Sequence, residues 1–272
     1  MPEQRVVLIT GASSGVGQST ARLLSQRGYK VFGTSRNPAK AEAIPSVEML
    51  LLDVRTDDSV RACVEAVSNR AGRVDVLINN AGHELAGALE ELSLEEARAQ
   101  FEANFFGVVR MVNAVLPLMR RQNRGHIVNA GSLSGLSSIP FLGIYSASKF
   151  ALEGYTEALR HEVKPFNIHV SLTEPGFLKT PMMNNRQSGT IRIGEYEPWR
   201  QRALTAIRGH EENGPGPELV AETLLEIISS SRPRLRYPIG QQAKSVSRLR
   251  RFLPAGMFEQ GVRRTFALDK NQ

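Results

Sequence analysis

At 272 residues, with 41% hydrophobic and 22% charged side chains, the chain has the make-up of a globular protein able to bury a substantial core. Its single cysteine, Cys63, excludes an internal disulfide, and its five histidines show no ligand spacing, so no structural metal is expected. The net charge of +7 is uneven: residues 232 onward hold ten Lys/Arg against two Asp/Glu, while the rest hold 24 against 25, so the basic character belongs to the tail.

From the amino terminus, VVLIT (6–10) is a continuous apolar run, and residues 15–27 read as a helix closed by Gly28. KVFGT (30–34) and VEMLLLD (47–53) predict two further buried strands. A helix follows from Thr56, which is placed to cap it with Asp57 and Asp58 behind. VDVLINN (74–80) is the next strand, residues 94–122 a long helical segment, and HIVNAG (126–131) a strand. Residues 145–163 read as a helix, IHVSLTEPG (168–176) as a strand and turn, 217–230 as a helix, and LRYPI (235–239) as a last strand. Strands that are apolar throughout are buried on both faces. Alternating with helices, they predict a single α/β domain, a doubly wound parallel sheet over 1–240, with a basic C-terminal helical extension over 241–272. No run approaches the ~18 apolar residues of a membrane span, and MPEQRVVLIT lacks a cleavage-site pattern, so a cytoplasmic protein is expected.

The first strand runs into TGASSGVG (10–17), where Gly11, Ser13, Ser14, Gly15, Val16 and Gly17 lead into a helix. A turn poor in Cβ atoms lets a pyrophosphate approach the backbone, and a helix N-terminus offers free N–H groups and a positive dipole end. The spacing G-x-x-x-G-x-G differs from G-x-G-x-x-G, and its weight comes from its place after strand one of an α/β pattern. At the end of strand two, where an acid would hold a ribose hydroxyl, stand Thr34, Ser35 and Arg36. A charge-assisted bond from Arg36 to a 2′-phosphate is worth roughly 1.5–3 kcal/mol, which predicts NADP(H) as cofactor. Asp53 and Val54 end strand three, either at the adenine edge or as an ordinary turn before the Thr56 helix. Asn80, Ala81 and Gly82 end strand four at the carboxyl edge, where open α/β sheets bind ligands, although the same residues also make a plain turn.

In YSASKFALEG (145–154), Tyr145 and Lys149 are four apart with only small residues between. On a helix they share a face about 5–6 Å apart. At an effective dielectric near 20, a unit charge about 5 Å away contributes roughly 3 kcal/mol, or about 2 pKa units. This predicts a tyrosine lowered toward about 7–8, suited to general acid–base work.

TGASSGVG, NNAG, Asn104, Ser132 and Y145-S-A-S-K149, in this order and extended by Pro175, Gly176 and Thr180, closely resemble the short-chain dehydrogenase/reductase family over roughly residues 5–240. The resemblance implies that Tyr145 gives a proton to a carbonyl or takes one from an alcohol. It implies that Lys149 lowers the tyrosine pKa and holds the nicotinamide ribose, and that Ser132 polarises the carbonyl, with Ser134 its nearest rival. Asn104 would steady a water that relays protons to the lysine, and Thr180 would bond the nicotinamide carboxamide. Ala130 and Gly131 before Ser132 depart from the family's bulkier residue and serine. By the same resemblance, the long helices over 94–122 and 145–163 form homodimer or homotetramer interfaces.

The substrate segment is expected at 177–212, which shows little periodicity, with Phe177, Met182, Met183, Tyr196 and Trp199 as candidates to line an apolar pocket. The tail carries Ala243, Val246, Leu249 and Leu253 at helical spacing among Arg248, Arg250 and Arg251, then a second apolar set after Pro254. It suits packing over the substrate pocket or a partner subunit, or peripheral contact with an anionic membrane. Nucleic acid is not expected, since no binding module accompanies it. The leading function is NADP(H)-dependent oxidation or reduction of a carbonyl or alcohol on an apolar small molecule. The alternative is a non-catalytic NADP(H)-binding regulator, which has no need of Ser132, Tyr145 and Lys149. An epimerase acting through bound cofactor needs more chain than is present.

Overall fold

The computed structural model describes residues 4–269. In chain order the elements are β1 (Val6–Ile9), α1 (Gly15–Gln26), β2 (Lys30–Ser35), β3 (Val47–Leu51), α2 (Asp57–Ala71), β4 (Val76–Asn79) and β5 (Leu85–Ala86). They continue with α3 (Leu94–Phe101), α4 (Gly107–Gln122), β6 (Gly125–Ala130), α5 (Gly143–Glu162), β7 (Ile168–Pro175) and β8 (Gln187–Ser188). The carboxyl-terminal part holds α6 (Glu197–Glu212), α7 (Glu218–Ser229), β9 (Arg236–Ile239), α8 (Gln241–Phe252) and α9 (Ala255–Thr265).

Seven strands form one parallel sheet in the order β3-β2-β1-β4-β6-β7-β9. The order reverses between β1 and β4, which opens a crevice at their carboxyl ends. The unbroken apolar runs follow from the two faces. Val6 and Leu8 enter a core shared with α2, α4 and α5, whereas Val7 and Ile9 enter a second core shared with α1 and α7. Leu77 and its neighbours Val76 and Ile78 divide the same way.

The structure departs from the sequence reading at four places. β3 is an edge strand, with Glu48 exposed and Leu51 64% exposed, so it is not buried on both faces. Thr56 occupies the cap position of α2 but makes no side-chain capping bond, whereas Ser93 and Glu96 form a reciprocal capping box on α3. The segment 94–122 is interrupted at Glu102–Phe106 by a π turn, in which the Gly107 N–H reaches back to the Glu102 carbonyl. Finally, α6 lies in the stretch that lacked periodicity. Its buried positions, Arg200, Ala203, Ile207 and Glu211, do have helical spacing, but two of the four are charged, so no apolar stripe shows.

Candidate active site

The nucleotide end of the crevice is built from backbone. Gly11 has φ +68°, and a Cβ there would lie 2.9 Å from the Ala81 Cα. A Cβ on Gly17 would fall 2.2 Å from the Gly11 carbonyl oxygen and 2.6 Å from Asn80 Nδ2, so only glycine lets α1 start this close to β1 and β4. The turn is laced to the end of β4. The Asn80 and Ala81 N–H groups donate to Thr10 Oγ1 at 2.9 and 3.0 Å, and Asn80 Nδ2 donates to the Thr10 and Gly11 carbonyls at 3.0 Å each. Ser13 and Ser14 are exposed at the mouth of α1, and Ser14 caps with no side-chain bond, which leaves the first N–H groups available. A cradle that a Cβ would fill, set against an uncapped helix N-terminus, fits a diphosphate.

Across this turn, Thr34 accepts from Gly11 N, Ser35 Oγ accepts from Asn37 N, and Arg36 is exposed. Asp53 is not a lone acid at the end of β3. Arg55 forks onto it, with Nε at 2.9 Å from Oδ1 and Nη2 at 2.6 Å from Oδ2, and this bond lowers the Asp53 carboxyl below its usual range despite partial burial. The charge of Arg36 acts in the same direction. Arg55 was missed in the sequence, where it reads as one more loop arginine. Val54 packs against the start of α4, where a Cβ on Gly107 would meet its Cγ2 at 2.7 Å.

The chemical end gathers Asn104, Ser132, Tyr145 and Lys149 from three separate segments along one cleft wall. Ser132 lies two residues past β6, where it caps the turn that follows and accepts from Ser134 N at 3.1 Å, which orients its hydroxyl. Tyr145 and Lys149 lie in the first two turns of α5, both buried. Lys149 Nζ donates to the Ala130 carbonyl at 2.7 Å and sits 5.7 Å from the centre of the Tyr145 ring. Asn104 lies within the π turn. It accepts from His83 N at 3.1 Å and donates to the His83 carbonyl at 3.0 Å, so both its amide atoms are committed to one backbone. Such single-turn widenings recur at functional sites.

The expected fall in the Tyr145 pKa is not what the free protein holds. Burial raises the phenol above its usual range, Glu84 adds to this, and a hydrogen bond with Ser132 opposes it. Lys149 is buried beside it, and burial lowers its own ammonium to about 8, against the pull of Glu84. Desolvation outweighs the charge of a neighbour four residues away.

Pro175 and Gly176 end β7, where Gly176 N donates to the Ile239 carbonyl at 3.0 Å. Thr180 stands over the glycine turn, 3.8 Å from where a Cβ on Gly15 would lie. Of the candidate pocket residues, Phe177 and Met182 line the cleft with Ile139 and Leu142. Met183, Tyr196 and Trp199 lie away from it: the Tyr196 hydroxyl donates to Glu90 Oε2 at 2.8 Å, and Trp199 carries the Arg202 guanidinium 5.2 Å from its ring centre. The tail reaches the same region. Phe266 is buried against Phe177 and His210, in a small core that includes Tyr145, and Arg250 of α8 lies over the Phe150 ring of α5. Sequence reasoning also missed His83, Glu84 and Glu211 in the cleft lining, since isolated polar residues in two segments far apart along the chain carry no pattern. Burial lowers His83, aided by the charges of Arg36, Arg55 and Lys149, and burial pushes Glu211 up to about 7 against the pull of Arg186.

Similarity to known proteins is extensive. The short chain dehydrogenase family profile matches residues 5–190. The chain is 42% identical over 270 residues to the 3-ketodihydrosphingosine reductase of Bacteroides thetaiotaomicron, a match covering 98% of this chain and 99% of that protein. It is 38% identical over 272 residues to retinol dehydrogenase 8 of Bos taurus, covering 93% and 86%. Among solved structures, a short-chain dehydrogenase from Streptomyces avermitilis superposes with TM-score 0.84 at 29% identity over the full length of both chains. A 3-ketoacyl-(acyl-carrier-protein) reductase from Brucella melitensis complexed with NADH superposes at 0.77 with 25% identity, covering 89% of this chain and 100% of that one. With the parallel sheet, the glycine cradle and these matches together, the chain belongs to the short chain dehydrogenase family, a nicotinamide-dependent group of oxidoreductases acting on CH–OH and C=O groups.

Proposed function

We infer that the protein is an NADP(H)-dependent oxidoreductase that interconverts a carbonyl and a secondary alcohol on an apolar substrate, with Tyr145 as general acid and base. The observation that carries this reading is the convergence of Ser132, Tyr145 and Lys149 on one cleft wall, with apolar Ile139, Leu142 and Phe177 alongside. Bound nicotinamide supplies the hydride. In the reducing direction Tyr145 gives its proton to the carbonyl oxygen while Ser132 donates to the same atom, so the negative charge is met where it develops. Lys149, already close to losing its proton, stabilises the phenolate that remains and is held in place by the Ala130 carbonyl. Asn104 fixes the His83 backbone beside it and steadies a water on the proton path.

For the cofactor, Gly11, Ser13, Ser14, Gly15, Val16 and Gly17 take the diphosphate, and Asn80, Ala81 and Gly82 border the adjoining ribose. Tyr145 and Lys149 hold the nicotinamide ribose, and Pro175, Gly176 and Thr180 the carboxamide. Ser35 and Arg36 receive a 2′-phosphate, with Asp53 and Val54 at the adenine edge. The preference for NADP(H) rests on charge: the nearest acid, Asp53, is neutralised by Arg55, so Arg36 faces the ribose with no competing carboxylate. The apolar substrate class is supported by the cleft lining and by relatives named for a 3-ketodihydrosphingosine and for retinol.

The protein acts in the cytoplasm as a homodimer or homotetramer built on the long helices, on which Phe106 is 44% exposed. Peripheral membrane contact falls to the tail, where Leu249, Phe252 and Met257 are 46%, 78% and 60% exposed among Arg248, Arg250 and Arg251. Salt-sensitive co-sedimentation with anionic vesicles is the expected result, and full-length protein that never sediments removes the membrane contact. The test of the main reading is NADPH loss against a panel of long-chain and cyclic ketones, with NADH in parallel. Turnover with NADPH at least about tenfold more efficient than with NADH is expected, and consumption of neither cofactor with any ketone overturns it.

A further inference from the structure

At β9, three carboxylates converge on one guanidinium. Arg236 donates from Nε to Glu153 Oε2 at 2.9 Å and from Nη2 to Glu157 Oε2 at 2.7 Å, and the same Nε lies 3.5 Å from Glu174 Oε1. Glu157 is exposed, but Glu153 and Glu174 are only 8% and 1% exposed. Each of these two keeps one oxygen, its Oε1, buried without a hydrogen-bond partner. One N–H cannot serve two carboxylates, and two buried carboxylates side by side do not both stay ionised. The arrangement calls for a proton: with one carboxyl protonated, an O–H donor exists where the two orphaned oxygens have none. Burial raises both carboxyls above their usual range, and the charge of Glu153 raises Glu174 further, while Arg236 opposes both.

The pair sits where three parts of the cleft meet. Glu174 directly precedes Pro175 and Gly176, which line the cleft at the end of β7. Glu153 is one turn beyond Lys149 on α5. Its stem also supports the turn that holds Ser132: a Cβ on Gly135 would lie 3.3 Å from Glu153 Cγ and 3.0 Å from the Lys149 carbonyl oxygen, and Gly135 N donates to the Ser132 carbonyl at 2.9 Å. Of the other cations, Lys149 directs its Nζ to the Ala130 carbonyl, and Arg250 of α8 lies over the Phe150 ring. We propose that Glu153 and Glu174 are positioning residues that share one proton, and that this acid–carboxylate link holds α5, with Tyr145 and Lys149, aligned with the nicotinamide end of β7. This assignment rests on the reading of the cleft given above and adds its regulation by pH. Loss of the shared proton at alkaline pH leaves two like charges between α5 and β7 and loosens the nicotinamide end.

Infrared difference spectra of the full-length protein between about pH 6 and about pH 10 read the shared proton through the C=O stretch of a protonated carboxyl. Wild type is expected to show this band at the acid end and to lose it at the alkaline end, and Glu174→Gln and Glu153→Gln are each expected to lack it. Glu211, a separate carboxyl raised by burial, keeps its own band in both variants. NADPH affinity over the same range, followed by nicotinamide fluorescence, reads the positioning. Binding that needs a proton weakens by up to about tenfold per pH unit once that proton is lost, so wild type should lose about tenfold more affinity than Glu174→Gln, whose amide donates at every pH. Lys149 titrates in both proteins and cancels in the comparison. If Glu174→Gln does not fold, as judged by circular dichroism, Glu153→Gln carries both measurements. A wild-type spectrum with no carboxyl band that the variants remove overturns the shared proton. A band that the variants remove, with NADPH affinity falling in parallel in wild type and variant, marks a structural brace and overturns the positioning role. Neither readout involves a ketone, so absence of turnover with every ketone sinks the carbonyl reading alone, and a failed pair leaves that reading standing.

Discussion

Two buried arginine–glutamate clusters hold α6 to the body of the protein, and they differ in how completely their charges are met. Arg200 pairs with Glu91, whose Oε2 also accepts from Ala88 N and whose Oε1 accepts from Ile193 N, both at 2.9 Å. Burial alone would raise the Glu91 carboxyl, but these backbone bonds and the arginine more than offset it, so it lies below its usual range. At the other end of the same helix, Glu211 shares Arg186 with Glu84, keeps one oxygen unpartnered, and is raised to about 7 by burial. The same residue types thus make a brace in one place and an incompletely satisfied cleft wall in the other. The difference lies in the backbone donors: Ala88, at the short turn before α3, and Ile193, ahead of α6, supply them to Glu91, and no equivalent reaches Glu211 Oε2.

Breaking the satisfied cluster should have the largest effect on stability. Glu91→Ala leaves Arg200 buried without its main partner, at a cost of about 3–5 kcal/mol. Thermal unfolding should then fall by roughly 8–15 °C, and a change under about 3 °C would show that the pair does not hold α6. An exposed arginine sharpens the contrast from the other side. Arg36→Ala should leave the melting temperature within about 2 °C of wild type while lowering the NADPH-to-NADH affinity ratio about 10- to 100-fold. An unchanged ratio, measured by nicotinamide fluorescence, would remove Arg36 from the cofactor site.

The smallest effect is a pH dependence. Glu211 binds its proton more tightly in the folded state, at about 7, than an ordinary glutamate near 4.5. The folded state therefore holds the extra proton between those values, and stability contributed by this group is lost as pH rises from about 4.5 through 7. Glu211→Gln cannot lose that proton, so relative to wild type it should melt a few degrees more favourably at pH 8 than at pH 5. A difference that does not vary with pH contradicts the strained carboxylate.

The same contrast explains what the sequence makes legible. The central strands announce themselves because alternate residues enter two different cores, so Val6 to Ile9 must all be apolar. The glycine turn is legible because close approach at Gly11 and Gly17 excludes every other side chain. Helix α6 is hidden because Arg200 and Glu211 occupy core-facing positions and break the apolar stripe. The spacing of Tyr145 and Lys149 is visible, but the direction of the tyrosine's shift is not. It depends on burial and on Glu84 and Glu211, brought in from positions far along the chain. The π turn around Asn104 likewise leaves no mark in the sequence, because FEANFFG reads as ordinary helix.

The most direct test of the account is Tyr145→Phe, assayed for turnover and for NADPH binding on the same preparation. The phenol makes the proton transfer while the glycine cradle and Arg36 carry most of the cofactor contacts. Turnover should therefore fall by at least about a thousandfold, with NADPH affinity changed by less than about threefold. A variant that still turns over within about tenfold of wild type would contradict Tyr145 as the general acid and with it the proposed chemistry of the cleft.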